Sequence, residues 1–403
     1  MNQRQAENPA RGERIWTFPF IMVFAVNIFN ALGFHILTPI LPKYAVALDL
    51  GNVVAGALGT MFAITSICSR IVLLKVNLAG RYRKAAILAL SLIAVAMAGF
   101  AMSTTEALLY LFRLIQGVGW GICTAVLATL AALTLPPKRI GAGIGIFGLG
   151  SVFGKALAPN LGLTLVEVVG YRTTFLIAMC MPLVSILLCV LLKDIERGAT
   201  ADVAKNPGKP VPLREINPAP LFPTLFILIS MIPDSAISSV ISLFAQERGV
   251  AGIGLFFTVN AFTLLFVRPF FGRISDTVAP YKILIPALML FGGVLVALYC
   301  ARSLIAFLVI AVFYTFSYGS INPTTQAWTV RVVDKAQIGI AQVIFYTGLD
   351  LGSGIGSFLA GAIAERTGYA QVYLWMLIPV AVELLILCVY GLRKGREART
   401  AGR

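Results

Sequence analysis

Residues 140–162 read IGAGIGIFGLGSVFGKALAPNLG, and residues 338–360 read IGIAQVIFYTGLDLGSGIGSFLA. At an offset of 198 the two stretches share their opening Ile-Gly, then Phe147 with Phe345, Gly150 with Gly348 and Gly154 with Gly352. Both are followed by Glu-x-x-Gly-Tyr, at Glu167–Tyr171 and Glu365–Tyr369. The same offset pairs Gly56 with Gly254, Arg70 with Arg268 and Lys84 with Lys282. One offset recurring in separate segments points to an internal duplication.

The duplicated material is built for a membrane. Charged residues make up 12% of the 403, against about 25% in an ordinary soluble domain, and hydrophobic residues 59%, with a mean hydropathy of +0.90. So few charges cannot cover a globule of this size with a wettable surface. A spanning helix needs about 20 predominantly apolar residues. Twelve segments meet that need: 17–45, 53–75, 84–103, 107–134, 140–166, 172–192, 221–246, 251–272, 282–301, 304–330, 338–364 and 371–392. The connections are short except for 193–220, a polar, proline-rich stretch. It divides the chain into residues 1–192, a six-helix bundle with an N-terminal tail, and 221–403, a six-helix bundle with a C-terminal tail. Since 198 residues cover six crossings, an even number, the halves run parallel rather than inverted. The expected fold is an all-α membrane protein of twelve transmembrane helices in two parallel six-helix halves.

Lys and Arg set the orientation. With the N-terminus inside, 23 of the 32 fall on cytoplasmic pieces, and only Lys43, Arg172, Arg248, Arg302 and Arg366 lie opposite. Both termini are therefore expected in the cytoplasm of a protein of the inner (plasma) membrane. The net charge of +15 is accounted for by positive loops beside anionic lipid, with no nucleic-acid partner. The six cysteines show no C-x-x-C spacing and there is one histidine, so neither a metal site nor a cofactor is expected.

Parallel six-helix halves are similar to the plan of the major facilitator superfamily, and local motifs extend the resemblance. RPFFGRISDTVAPYK, Arg268–Lys282, resembles the family's loop motif after the second helix of a half, with Gly272, Asp276 and Lys282 in place. In the N-terminal copy, RIVLLKVNLAGRYRK, Leu78 stands where the acid belongs. RLIQGVGWG from Arg113 resembles the fourth-helix motif. GLGSVFGKALAPNLG resembles the antiporter motif of drug–proton exchangers, with Ala158-Pro159 replacing Gly-Pro and Gly162 following. The resemblance implies a gating group of Arg70, Gly154, Pro159, Gly162, Arg268, Gly272, Arg273 and Asp276, in which Asp276 closes the cytoplasmic side by pairing near Arg268 or Arg273.

Gly143–Gly148 also satisfies G-x-G-x-x-G, the dinucleotide fingerprint, and Gly154-Lys155 looks like the end of a P-loop. The fingerprint needs a strand before it and a helix opening at its glycines, whereas this one lies inside an apolar helix-length run. Leu149 occupies the first P-loop glycine position, and Ala156 stands where Ser or Thr binds Mg²⁺. Glycines in a membrane helix let backbones approach closely. With no ATP site, transport must run on a gradient.

A charge at mid-bilayer costs at least ~2.5–3.5 kcal/mol, so it faces a cavity or a partner. The N-terminal half offers His35, Arg113 and Lys155, and the C-terminal half offers Asp234, Asp350 and Glu383. One wall of the expected cleft is thus basic and the other acidic. Asp350, Asp234 and Glu383 are the candidates for proton coupling. Asn27, Asn30, His35, Arg113, Gln116, Lys155, Asp234, Tyr314, Asn322, Gln326, Tyr346 and Asp350 are the candidates for substrate contact. Lys155 and Asp350 lie at corresponding depths, where they either bind opposite poles of a zwitterion or form a structural pair across the halves. Arg113 either contacts substrate or holds backbone carbonyls, and Glu383 either carries protons or makes a buried hydrogen bond or an oligomer contact. Pro323 is expected to break the tenth helix locally.

These features point to a proton-coupled exporter of a small amphipathic or zwitterionic organic molecule, drug-like or a metallophore, working as a monomer by alternating access. A proton-linked uptake symporter for an organic acid or sugar is the alternative, and a non-pumping receptor or lipid-handling protein is one of another class. No nucleophile–base pair for an enzyme is present.

Overall fold

The computed structural model describes residues 14–76, 78, 80–192 and 217–401. Residues 1–13 of the expected N-terminal tail, 193–216 of the linker and the last two residues of the C-terminal tail lie outside these. Every regular element among the described residues is helical. The first four are α1 (Phe18–Ala47), α2 (Gly51–Leu74), α3 (Tyr82–Met102) and α4 (Glu106–Thr134). A single helical run, Ile140–Leu191, follows. At about 1.5 Å per residue its 52 residues would reach about 78 Å, more than twice the ~30 Å hydrocarbon core. Gly170 breaks it, at φ 76° and ψ 170°, a backbone conformation that only glycine adopts freely. The break separates α5 (140–169) from α6 (171–191). The second half comprises α7 (Leu221–Glu247), α8 (Gly254–Thr277), α9 (Pro280–Cys300), α10 (Leu304–Arg331), α11 (Ile338–Thr367), α12 (Tyr369–Trp375) and α13 (Leu377–Ala401).

Among the described residues, eleven helical runs are long and apolar enough to cross a membrane. One of them turns back at Gly170, and α12 and α13 up to Arg393 share another, so the described helices supply twelve spans. The repeat governs the joints as well as the helices. Gly368, 198 residues after Gly170, also has a positive φ, 90°, where α11 gives way to α12. The 3₁₀ turns Pro137–Arg139 and Lys335–Gln337 that open α5 and α11 are likewise 198 apart.

Small residues decide how each half packs. Gly150, Gly154, Ala158 and Gly162, spaced by four, are buried along one face of α5. A Cβ added at Gly154 would lie 2.9 Å from the backbone of Ala31 in α1, and one at Gly162 would lie 2.7 Å from the carbonyl oxygen of Ile36. In α11 the stripe is Gly348, Gly352, Gly356 and Ala360, and it packs against Thr224, Leu228 and Ile232 of α7. Removing Cβ lets the two backbones approach to contact, the usual source of cohesion between helices that lipid does not drive together. Each half has its own apolar core. Phe262, Phe266 and Phe270, one turn apart on α8, are more than half exposed, as a lipid-facing row is.

One expectation about α10 changes. The helix runs unbroken through Pro323, so the missing amide costs it one hydrogen bond without breaking it. Its polar stretch is also largely self-satisfied. Ser317, Ser320, Thr325 and Thr329 are buried and donate to carbonyls three or four residues back.

Candidate functional site

The halves meet along α2 against α11 and α5 against α8, and their close contacts gather toward the face where α1 begins. Arg70 of α2 is the centre of the first contact. Its guanidinium donates to the Tyr346 carbonyl of α11 at 2.9 Å, the Thr124 hydroxyl at 2.9 Å and the Gly121 carbonyl at 3.3 Å, and it forms an ion pair with Asp350 of α11. Ser66 donates to the same carboxylate at 3.3 Å. Arg70 is 1% exposed and Asp350 25%. The arginine is sealed in the interface, while the carboxylate borders the space between the halves.

The second contact joins α5 to α8. Arg268 donates to the Gly148 carbonyl at 2.6 Å. Below it, on the side where α5 begins, Gly141 and Gly272 touch backbone to backbone. Asp276, at the end of α8, accepts from the amides of Gly141 at 2.7 Å and Ala142 at 3.0 Å. These are first-turn donors of α5 without an intrahelical partner, and the helix end favours a negative charge. Arg331 of α10 completes the cluster with an ion pair to Asp276 and a bond to the Ser275 carbonyl. The expected pairing of Asp276 with Arg268 or Arg273 is therefore replaced: Arg268 reaches α5 one level higher, and Arg273 is exposed. Arg331 lies outside the loop motif, so the sequence offered only its place among the positive loops.

Beyond the level of Asp350 the halves separate. A Cβ added at Gly59 in α2 or at Gly354 in α11 would meet no other part of the protein within 4 Å. At the floor of this cleft, Asp234 of α7 accepts a hydrogen bond from the Tyr314 hydroxyl of α10, and Tyr314 stacks on Tyr318 with ring centres 5.9 Å apart. Lys155 of α5 lies within electrostatic reach of Asp234, Arg268 and His35. Lys155 and Asp350, expected to face one another, do not pair; Asp350 is taken by Arg70.

The other candidates are distributed as follows. Arg113 donates to the Leu58 carbonyl at 3.0 Å and to Gln116, and lies 4.5 Å over the Phe62 ring, so it ties α4 to α2 inside one half. Glu383 of α13 is fully buried, with both carboxylate oxygens 2.8 Å from the Ser230 hydroxyl of α7. Asn27 donates to the Phe147 carbonyl at 2.8 Å within its own half. Gln326 donates to Gln342 at 2.9 Å and approaches the Tyr346 hydroxyl at 3.4 Å. Asn30 and Asn322 are buried, and Asn30 leaves its Oδ1 without a partner. Half-buried His35 abuts Phe34, which stacks on Trp120 at 3.9 Å. Pro159 is half-buried in an unbroken helix, beside the stripe that holds α5 on α1. The wall of three acids is thus taken apart: Glu383 is enclosed within its half, Asp350 is paired with Arg70 at the edge of the cleft, and Asp234 is bonded to Tyr314 with Lys155 and Arg268 within electrostatic reach.

Two six-helix bundles of the same topology, joined on one face around a central cleft, are a transporter's architecture. Residues 23–251 and 224–403 match the Major Facilitator Superfamily. The chain belongs to that superfamily. The multi-drug resistance efflux pump PmrA of Streptococcus pneumoniae is 25% identical over 303 residues, covering 69% of this chain and 71% of the pump. The multidrug resistance protein MdtG of Citrobacter koseri is 25% identical over 290 residues, 68% of each chain. Among solved structures, the human organic anion transporter MFSD10 (TETRAN) superposes with a TM-score of 0.74 at 17% identity, covering 94% of this chain and 99% of that one. The major facilitator FucP in its outward conformation gives 0.68 at 16%, covering 93% and 99%. At these identities the structures establish the fold. This major facilitator protein is a multi-pass membrane transporter rather than an enzyme, and small molecules are the cargo of its superfamily.

Proposed function

We propose that this transporter is a proton-coupled exporter of small amphipathic organic molecules in the plasma membrane. It works as a monomer with both termini in the cytoplasm. The observation that carries the coupling is the ion pair between Arg70 and Asp350, which joins the halves at mid-depth with the carboxylate open to the cleft. On the orientation given by the positive loops, the closed face is cytoplasmic and the cleft opens outward. A proton arriving from outside neutralises Asp350 and removes its attraction for Arg70. The cytoplasmic contact then loosens, and the halves rock toward the inward-facing state. Release of that proton inside restores the pair and returns the carrier outward with its cargo. The sequence likeness to the efflux pump PmrA supports the direction.

Uptake of an organic acid with a proton is the second reading, favoured by the cations Lys155 and Arg268 at the cleft floor. Proteoliposomes with an imposed pH gradient decide between them. Export predicts that substrate accumulates on the acidic side of the membrane, and uptake that it accumulates on the alkaline side. Counterflow that ignores the pH gradient would remove proton coupling.

A further inference from the structure

The interface between the halves contains the same latch twice, and the two copies differ in one respect. Arg70 and Arg268 are related by the 198-residue offset, and so are their carbonyl acceptors, Tyr346 and Gly148. In the first copy Asp350 and Ser66 complete the latch with a carboxylate and a hydroxyl. The residues 198 positions away are Val152 and Leu264, which pack against each other as a small apolar cluster. The second guanidinium therefore keeps its backbone bond and has no carboxylate in its latch. Its Nε is buried without a partner.

A second cation stands close to it. Among the described residues Lys155 has no hydrogen-bond or ion-pair partner, yet it lies within electrostatic reach of Arg268 and is exposed to the cleft side of α5. Lys155 belongs to one half and Arg268 to the other. Asp234 is the carboxylate within reach of both, and it is already engaged by Tyr314. Two cations against one acid leave a surplus positive charge on the floor of a cleft with low-dielectric walls, where an unpaired charge is costly and an arriving anion is strongly held.

We infer that Lys155 and Arg268 bind an anionic group of the transported molecule, a carboxylate or sulfonate, which supplies the second latch with the acid its sequence lacks. The inference rests on the proposed cleft as the transport path. It also gives the cargo a mechanical effect: an anion shared by α5 and α8 draws the two halves together on the face already closed, as Asp350 does between α2 and α11. Asp234 competes with that anion for the same cations.

The test is binding to the purified protein in nanodiscs, measured by calorimetry with phenylbutyrate, its methyl ester and phenylbutylamine as probes. Phenylbutyrate should bind at least tenfold more tightly than the ester or the amine. Lys155→Gln and Arg268→Gln should each weaken it roughly ten- to a hundredfold, the range for hydrogen bonds to charged groups. Asp234→Asn should tighten it. Val152→Asp, which gives the second latch its own acid, should weaken it as much as Arg268→Gln does. Arg268→Lys keeps the charge and should retain part of the affinity, which separates lost charge from lost folding, and melting temperatures check each variant. Equal binding of the three probes, or unchanged phenylbutyrate affinity in folded Lys155→Gln and Arg268→Gln, overturns the inference. Proton-driven export of cations or neutral compounds without anion binding would sink it and leave the exporter reading standing. Anion binding without proton-linked export would do the reverse.

Discussion

Asp276 is ion-paired to Arg331, and the residues 198 positions earlier are Leu78 and Leu133. The charged end of the interface is therefore built once, by the C-terminal half, and it acts on the N-terminal half through the amides of Gly141 and Ala142. A carboxylate at a helix N-terminus is stabilised by free N–H groups and by the helix dipole together. Arg331 neutralises the same group from the side, so closing this face leaves no unpaired charge on the carboxylate.

Asp276→Asn should open that face. It keeps the size of the side chain but loses the ion pair and weakens both amide contacts. Cysteines introduced on the cleft-facing side near Gly145 should label faster from the terminus face and more slowly from the opposite face. Arg331→Gln should produce the same change to a smaller degree. Unchanged labelling on both faces would remove Asp276 from gating.

Asp350→Asn tests coupling. The amide still accepts from Ser66 and from Arg70, so folding and substrate binding should survive, but it cannot cycle a proton. Accumulation driven by a pH gradient should disappear while counterflow continues. Asp234→Asn should show a milder loss of accumulation. Uphill transport at the normal rate in Asp350→Asn would make the carboxylate a structural partner of Arg70 only.

Two glycines on opposite faces of α5 should answer differently to the same change. A Cβ at Gly145 would lie 2.5 Å from the Arg268 carbonyl across the halves, and one at Gly154 would lie 2.9 Å from Ala31 within one half. Gly145→Val should wedge α5 from α8 and shift accessibility toward the terminus face with little change in melting temperature. Gly154→Val should lower the melting temperature, because it separates α5 from α1 inside a bundle that must hold in every state. Identical behaviour of the two variants would contradict the division into rigid halves and a mobile interface.

Glu383 is enclosed by its own half and meets the Ser230 hydroxyl with both oxygens. Glu383→Gln should transport with a normal pH dependence. Ser230→Ala should cost stability of about 1–3 kcal/mol, the penalty for orphaning a buried polar group, without altering coupling. Loss of proton-driven accumulation in a stable Glu383→Gln protein would place this acid on the proton path.

The span count, the parallel halves and their joints were legible in the chain because hydrophobic length and repeat offset are local properties. Gly170 and Gly368 even mark the turns at which α5 and α11 end. Position along a helix axis also follows from the chain, at about 1.5 Å per residue. Direction around the axis does not. The stripe Gly150, Gly154, Ala158 and Gly162 commits one face of α5 to α1, and the matching stripe commits α11 to α7. What remains of each helix then meets the other half: α5 faces α8, and α11 faces α2. Lys155 and Asp350 share a depth but not a facing helix, so Asp350 goes to Arg70 and Lys155 is left beside Arg268 and Asp234. Charge type and depth are written in the sequence one residue at a time. Pairing is decided by close packing, which fixes the rotation of every helix at once and exists only in the folded molecule.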